Sequence, residues 1–256
     1  MRLLILIVSI AAIGLAAALA ALGPGVRLGF WDYSTALGWM RNILALPLLI
    51  AAGLSALALL LALWKARGLA PLALIAFIAA VAAGYAPLKM KAMVEANPLI
   101  HDITTDFEHP PAIVAGAGAD RKNPPDYLAD ETVPRTDPPQ TLAEAQMAAF
   151  PDIQPLIVSG KLEDAVKAAR AAVAGMGMET LAEGPVSDES GSGWRIEAVS
   201  TSFWYGFKDD FIVRLSPGLD GGVRIDVRSK SRVGLSDLGA NATRVRAFLA
   251  RMKSAA

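Results

Sequence analysis

The chain has no cysteine and only two histidines in 256 residues. The first absence excludes disulfides, thiolate metal sites and a cysteine nucleophile. The second leaves His101 and His109 as the whole supply of imidazole for metal binding or base catalysis. Charge is also scarce over the first third, where residues 1–88 carry only Arg2, Arg27, Asp32, Arg41, Lys65 and Arg67. The remaining 19 basic and 23 acidic residues all lie in 89–256. With 54% hydrophobic residues overall, this is an apolar segment joined to a soluble domain. Such a composition excludes a wholly cytosolic enzyme and a disordered chain.

Three uncharged runs, Leu3–Leu22, Ile43–Trp64 and Leu69–Leu88, each match the length a helix needs to cross the hydrocarbon core. No polar face remains to cover them as buried soluble helices. Pro47 and Pro71 fall near helix starts, and Trp31, Tyr33, Trp39, Trp64 and Tyr85 near run ends, as an interfacial aromatic belt requires. The first run also has features of a signal peptide, with Ala18-Leu19-Ala20 as a small-residue cleavage site, but its length favours an uncleaved anchor. Basic residues are nearly tied between the two sides. The Lys65-Ala66-Arg67-Gly68 turn and Arg2 favour an inside N-terminus, which places the C-terminal domain outside the cytoplasm.

Residues 89–140 read as an extended arm or linker, since Pro110, Pro111, Pro124, Pro125, Pro134, Pro138 and Pro139 forbid a long helix or a central strand. Ahead of these prolines stand His101, Asp102, Thr104, Thr105 and Asp106, candidate ligands that more often form turns pinning a segment down.

Residues 141–256 read as an α+β unit. A strand at Ile153–Val158 precedes a helix whose apolar face is Leu162, Val166, Ala169 and Val173, closed by Gly175. A weak strand at Met178–Ala182 follows, then a clear one from Trp194 into Phe203-Trp204. Phe207-Lys208-Asp209-Asp210 reads as a turn before a strand at Phe211–Leu215, and Pro217–Gly222 as another turn. In the last strand Val223, Ile225 and Val227 alternate with Arg224, Asp226 and Arg228. Continued, that alternation puts Ser229 and Ser231 on the core face, and Lys230 and Arg232 on the wet face. Gly234 ends the strand, Ser236-Asp237 is a cap candidate, and a helix runs from Asn241 to Lys253. The order β-α-β-β-β-β-α predicts an antiparallel sheet covered by two helices, with a TATA-binding-protein-like topology that carries no implication about DNA.

The stretch STSFWYGFKDDFIVRL, followed by RIDVRSKSRVGLSDLGANATRVRAFL, resembles the bacterial and plastid family called domain of unknown function 1499. The resemblance rests on Phe207, Asp209, Asp210, Arg228, Ser229, Ser231, Arg232, Gly234, Ser236, Asp237, Leu238, Gly239 and Asn241. With the HDITTD segment it spans roughly the whole soluble part. This chain lacks the cysteine many members carry near the domain start, and has Ala242-Thr243 where a basic pair commonly follows the asparagine. The family brings no established activity with it.

These features point to a membrane-anchored envelope module, in the bacterial cytoplasmic membrane with its C-terminal domain extracytoplasmic. Its partners are the bilayer and an anionic lipid, polymer or protein; no cofactor, metal or nucleic acid is expected. The candidate ligand-binding residues are Arg228, Ser229, Ser231, Arg232, Ser236, Asp237 and Asn241, with His101, Asp102, Asp209 and Asp210 secondary. The basic stripe suits anions, and residues 221–256 carry a net +6. The alternative is an envelope hydrolase or transferase with Ser229 or Ser231 as nucleophile and Asp237 or His101 as base. Neither Gly-x-Ser-x-Gly nor Ser-x-x-Lys supports it. A transporter is discounted because the apolar runs hold almost no polar groups.

Overall fold

The computed structural model describes residues 1–188, 191–218 and 221–255, and divides the chain into two compact units. The first comprises Met1–Met93 with Phe203–Gly206; the second comprises Val94–Ser202 and Phe207–Ala256.

In the first unit α1 (Arg2–Arg27), α3 (Ala45–Lys65) and α4 (Ala70–Ala96) are the long apolar helices. Together with short α2 (Tyr33–Trp39), which runs into α3 through a π-helical turn at Met40–Leu44, they give three stretches long and apolar enough to cross a membrane. The π turn has a local cause. Pro47 lies just beyond it, and a proline ring clashes with the carbonyl four residues back, so the backbone widens there. Pro47 is thus the third residue of α3, near its start as expected, although α2 and the π turn carry the helical path back to Tyr33. Pro87 lies inside α4, which continues past the apolar run to Ala96.

The helices run up, down and up. One apolar layer joins Ile5, Ala58, Ala62 and Ala73, the next Ala12, Ala51, Ala76 and Ala80, and the last Leu19, Leu22, Ala36, Met40 and Leu48. Alanine dominates the two former layers because small side chains let apolar helices approach closely.

The second unit is a six-stranded antiparallel sheet in the order β1-β6-β5-β4-β3, with β2 also paired to β6. Its strands are β1 (Asp102–Thr104), β2 (Leu156–Val158), β3 (Glu179–Asp188), β4 (Gly191–Thr201), β5 (Lys208–Pro217) and β6 (Val223–Ser231). Helices α5 (Leu142–Ala149), α6 (Leu162–Gly175) and α7 (Ala240–Ala255) complete it. The expected α+β architecture is present. Inward residues Phe211, Val213, Leu215, Val223, Ile225 and Val227 form one core with Val166, Val173, Val245 and Phe248 from the helices.

Three local readings change. Asp209-Asp210 is not a turn but the start of β5, which pairs with β4 out to Lys208. Phe203-Trp204 leaves β4 and forms the hairpin tip, and β3 is much longer than its weak pattern implied. In the Pro217–Gly222 turn, residues 219 and 220 lie outside the described residues.

Candidate functional site

Strand β6 is where the sequence reading is half right. Ser229 and Ser231 do face the helices. Ser229 Oγ donates to Asn241 Oδ1 at 2.7 Å, Asn241 Nδ2 donates to Ser231 Oγ at 3.0 Å and to the His101 carbonyl at 3.1 Å, and Arg244 also reaches Asn241 Oδ1. Both hydroxyls thus bond one buried amide at the start of α7, and Ser229 Oγ also accepts from Arg244 Nη1 at 2.9 Å.

The turn before α7 explains its residue types. Asp237 accepts from the backbone N–H of Gly239 at 2.8 Å and of Asn241 at 2.7 Å, and Ser236 Oγ accepts from Leu238 N–H at 3.1 Å. Leu238 and Gly239 both have positive φ, and a Cβ on Gly239 would meet Asn97 Oδ1 at 2.6 Å, so only glycine fits there. Burial pushes the Asp237 carboxyl up to about 6, against the two amides that favour its charged form. Burial, with Lys230 nearby, holds His101 below its usual value, against the opposing pull of Asp102 and Glu131.

The expected wet face is a correction. Arg228, Lys230 and Arg232 are buried, because residues 105–128 lie over that side of the sheet as a lid of irregular chain. Arg228 makes a two-pronged pair with Asp102 (Nε–Oδ1 3.0 Å, Nη2–Oδ2 2.8 Å), and Lys230 Nζ shares Asp102 Oδ2 at 3.0 Å. Arg232 bonds Asp210 Oδ1, and Arg121, from the arm, sits 3.1 Å from Asp210 Oδ2 as an ion pair. Arg214 and Arg224 share Asp226 and the arm's Asp106. Alternation alone could not show this, since a covered charged face and a wet one have the same period.

Proline explains how the arm does it. Arg228 donates to the carbonyls of Pro111 (3.3 Å) and Pro125 (2.9 Å), Lys230 to that of Asp126 (2.8 Å), and Arg121 to those of Gly116 (3.2 Å) and Asn123 (2.7 Å). A proline-rich segment cannot pair its own backbone into a sheet, so its carbonyls remain free to accept from cations. The converse also occurs: Glu197 Oε2 accepts the N–H groups of Val114, Ala115 and Gly116 at 3.0, 2.8 and 3.3 Å. A Cβ at Gly116 would lie 2.7 Å from Asp210 Oδ1, so a larger residue there would have to displace the carboxylate that holds Arg232. Burial pulls the Lys230 ammonium below its ordinary value, opposed by Asp102.

The structure therefore gathers the candidates into two groups on opposite sides of one sheet. Ser229, Ser231, Ser236, Asp237 and Asn241 join on the helix side with the His101 carbonyl, and Asp209 faces there too, 2.8 Å from Arg244. Arg228, Arg232, Asp102 and Asp210 belong to the covered side. The adjacent aspartates point to opposite faces, as neighbours on a strand must. Asp106, a candidate from the sequence, joins the ionic layer through Arg214 and Arg224; Glu197, Arg214, Asp226 and Arg121 complete it and were missed, although Arg214 and Asp226 are directly opposite on neighbouring strands. Among the described residues, no cluster of His, Asp and Glu is arranged to hold a metal ion.

The sequence profile described as "Protein of unknown function (DUF1499)" matches residues 102–252, well over half of the chain. The chain belongs to the DUF1499 family. The match begins at Asp102, so the DUF1499 region includes β1 and the arm as well as the sheet and helices that the sequence reading treated as the domain. No curated protein and no solved structure matches the chain.

Proposed function

We propose that this DUF1499 protein is a membrane-anchored, extracytoplasmic binding or assembly module of the cell envelope. Its ligand is an anionic group, phosphate or carboxylate, borne by a lipid or polymer. One observation carries this reading: among the described residues, Arg121, Arg228, Lys230 and Arg232 share two carboxylates, Asp102 and Asp210, while further donors of Arg121, Arg228 and Lys230 rest on arm carbonyls and Arg121 Nη2 is buried without a hydrogen-bond partner. A carbonyl supplies a dipole where an anion supplies a full charge. An arriving anion therefore takes over those donors at a gain, and the arm segment is released. Ser229 gives its proton to the Asn241 amide oxygen, which is no base, and this argues against it as a nucleophile; Ser231 Oγ accepts from the same amide.

The test is hydrogen exchange of the full chain in nanodiscs of phosphatidylcholine alone, with added phosphatidylglycerol, and with added soluble polyphosphate. Faster exchange over residues 111–126 is expected with at least one anion, and which one identifies lipid or polymer as its carrier. Identical exchange in all three conditions would overturn the reading.

A further inference from the structure

The tip of the β4–β5 hairpin has a composition that a turn does not need. Between Ser202 and Gly206 stand three consecutive aromatics, Phe203, Trp204 and Tyr205. The turn itself is closed without them: Ser202 N–H donates to the Phe207 carbonyl at 2.8 Å, and Phe207 N–H to Ser202 Oγ at 2.9 Å. Phe203 is 93% exposed, the most exposed large apolar side chain among the described residues. Leaving it in water forgoes the favourable burial of a whole apolar ring.

Phe203–Gly206 fall in the first unit, with the apolar helices. Within that unit Tyr205 packs on the layer of Leu19, Leu22, Ala36, Met40 and Leu48, and Trp204 stacks on Tyr205 at 5.8 Å and 18°. Arg27 Nη1, at the end of α1, donates to the Phe203 carbonyl at 2.6 Å. That layer is the end of the bundle where α1 stops and α3 begins. It also carries exposed Leu28 and Phe30, with Trp31 edge-on to Trp39 at 5.3 Å. An arginine and a ring of amphipathic aromatics at one level of an apolar bundle mark a headgroup boundary.

We infer that the Phe203-Trp204-Tyr205 hairpin tip is a lipid-interface anchor, with Phe203 inserted among phospholipid acyl chains near the headgroups, level with Arg27 and Phe30. The inference rests on reading the three apolar helices as membrane spans. The occupant is lipid because the tip is apolar at its end and has polar-tipped rings behind it, the gradient of the interface itself. The consequence is a second attachment to the bilayer, independent of the covalent link through α4.

The natural absence of cysteine makes the test direct. Single variants Phe203→Cys, Leu54→Cys in α3 and Glu163→Cys on the exposed side of α6 are labelled with an environment-sensitive fluorophore. The full chain is then reconstituted in phosphatidylcholine vesicles. Lipid-borne quenchers near the headgroup or near the chain end, and aqueous iodide, are compared. The expected result is a blue-shifted label at 203 quenched most by the shallow lipid quencher, at 54 by the deep one, and at 163 by iodide. If 203 follows 163 while 54 is lipid-quenched, the hairpin is not in the interface and the inference falls with the anchor intact. If 203 is shielded from lipid and iodide alike, protein covers it and the inference also falls. If 54 itself follows 163, the spans are misread, and the inference falls with them.

Discussion

Asp102→Asn isolates the ionic layer. Asp102 is fully buried and, among the described residues, is the only carboxylate paired with Arg228 and Lys230, themselves almost wholly buried. At an effective dielectric of about 20, unit charges near 2.8–3.0 Å attract by roughly 6 kcal/mol, from which desolvation subtracts a large part. Removing one partner, however, leaves the other charges buried without compensation. The amide keeps the shape but not the charge, so the expected loss is about 3–5 kcal/mol. For a unit of this size that lowers the melting temperature by roughly 6–20 °C. The assay is scanning calorimetry of the full chain in detergent micelles. The control is Arg246→Gln, which breaks a shorter contact of 2.5 Å to Asp152 between side chains that are 41% and 54% exposed. It should cost no more than about 0.5 kcal/mol, because water screens the pair. If Asp102→Asn is as mild as Arg246→Gln, the cations under the arm are hydrated and the covered face does not exist as described.

Phe248→Ala removes a ring packed edge-on to Phe211 at 5.3 Å in the centre of the core, and should destabilise the sheet unit by about 3–5 kcal/mol in denaturant titration; an unchanged midpoint would mean α7 is not docked. His101 is held neutral in the fold, so the unfolded chain takes up the proton first. Stability from this residue is complete above the unfolded value near 6.5 and is lost as pH falls towards the lower folded value. Asp237, raised to about 6, acts in the opposite sense, so the comparison is with His101→Gln. The stability gap between wild type and variant should narrow on acidification; a constant gap would refute the assignment. A reporter active only in the cytoplasm, fused after Ala256, should be silent, and a strong signal would reverse the proposed orientation.

Much of the fold was legible because it rests on periodicity. Three long apolar runs gave the three helices, and alternation from Val223 correctly turned Ser229 and Ser231 toward α7. The Ser236-Asp237 cap was legible from residue type and from its place before an amphipathic helix. What periodicity cannot report is what covers a face. The charged side of β6 looks solvated because burial of Arg228, Lys230 and Arg232 depends on Asp102, Asp210 and carbonyls from a segment about 100 residues away in sequence. Asp209-Asp210 was misread for a related reason. Adjacent acids resemble a turn until Arg244 on one side and Arg232 on the other are known to be waiting for them. The arm's prolines correctly excluded regular structure but gave no sign that their carbonyls would be acceptors for the sheet's cations.

The central claim is that the proline-rich arm is part of the folded unit, fastened over a basic sheet face. Limited proteolysis with trypsin reads this directly, since Arg121 and Lys122 place two cleavable bonds within the arm. Arg121 is held by Asp210 and by the Gly116 and Asn123 carbonyls, and the Lys122 and Asn123 N–H groups both donate to the Arg232 carbonyl at 2.8 and 3.0 Å. In the native full chain these bonds should resist trypsin, and in Asp102→Asn they should be cut rapidly. Rapid cutting at Arg121 or Lys122 in the native protein, with the remaining sheet unit still folded, would show a free arm and a solvated basic stripe.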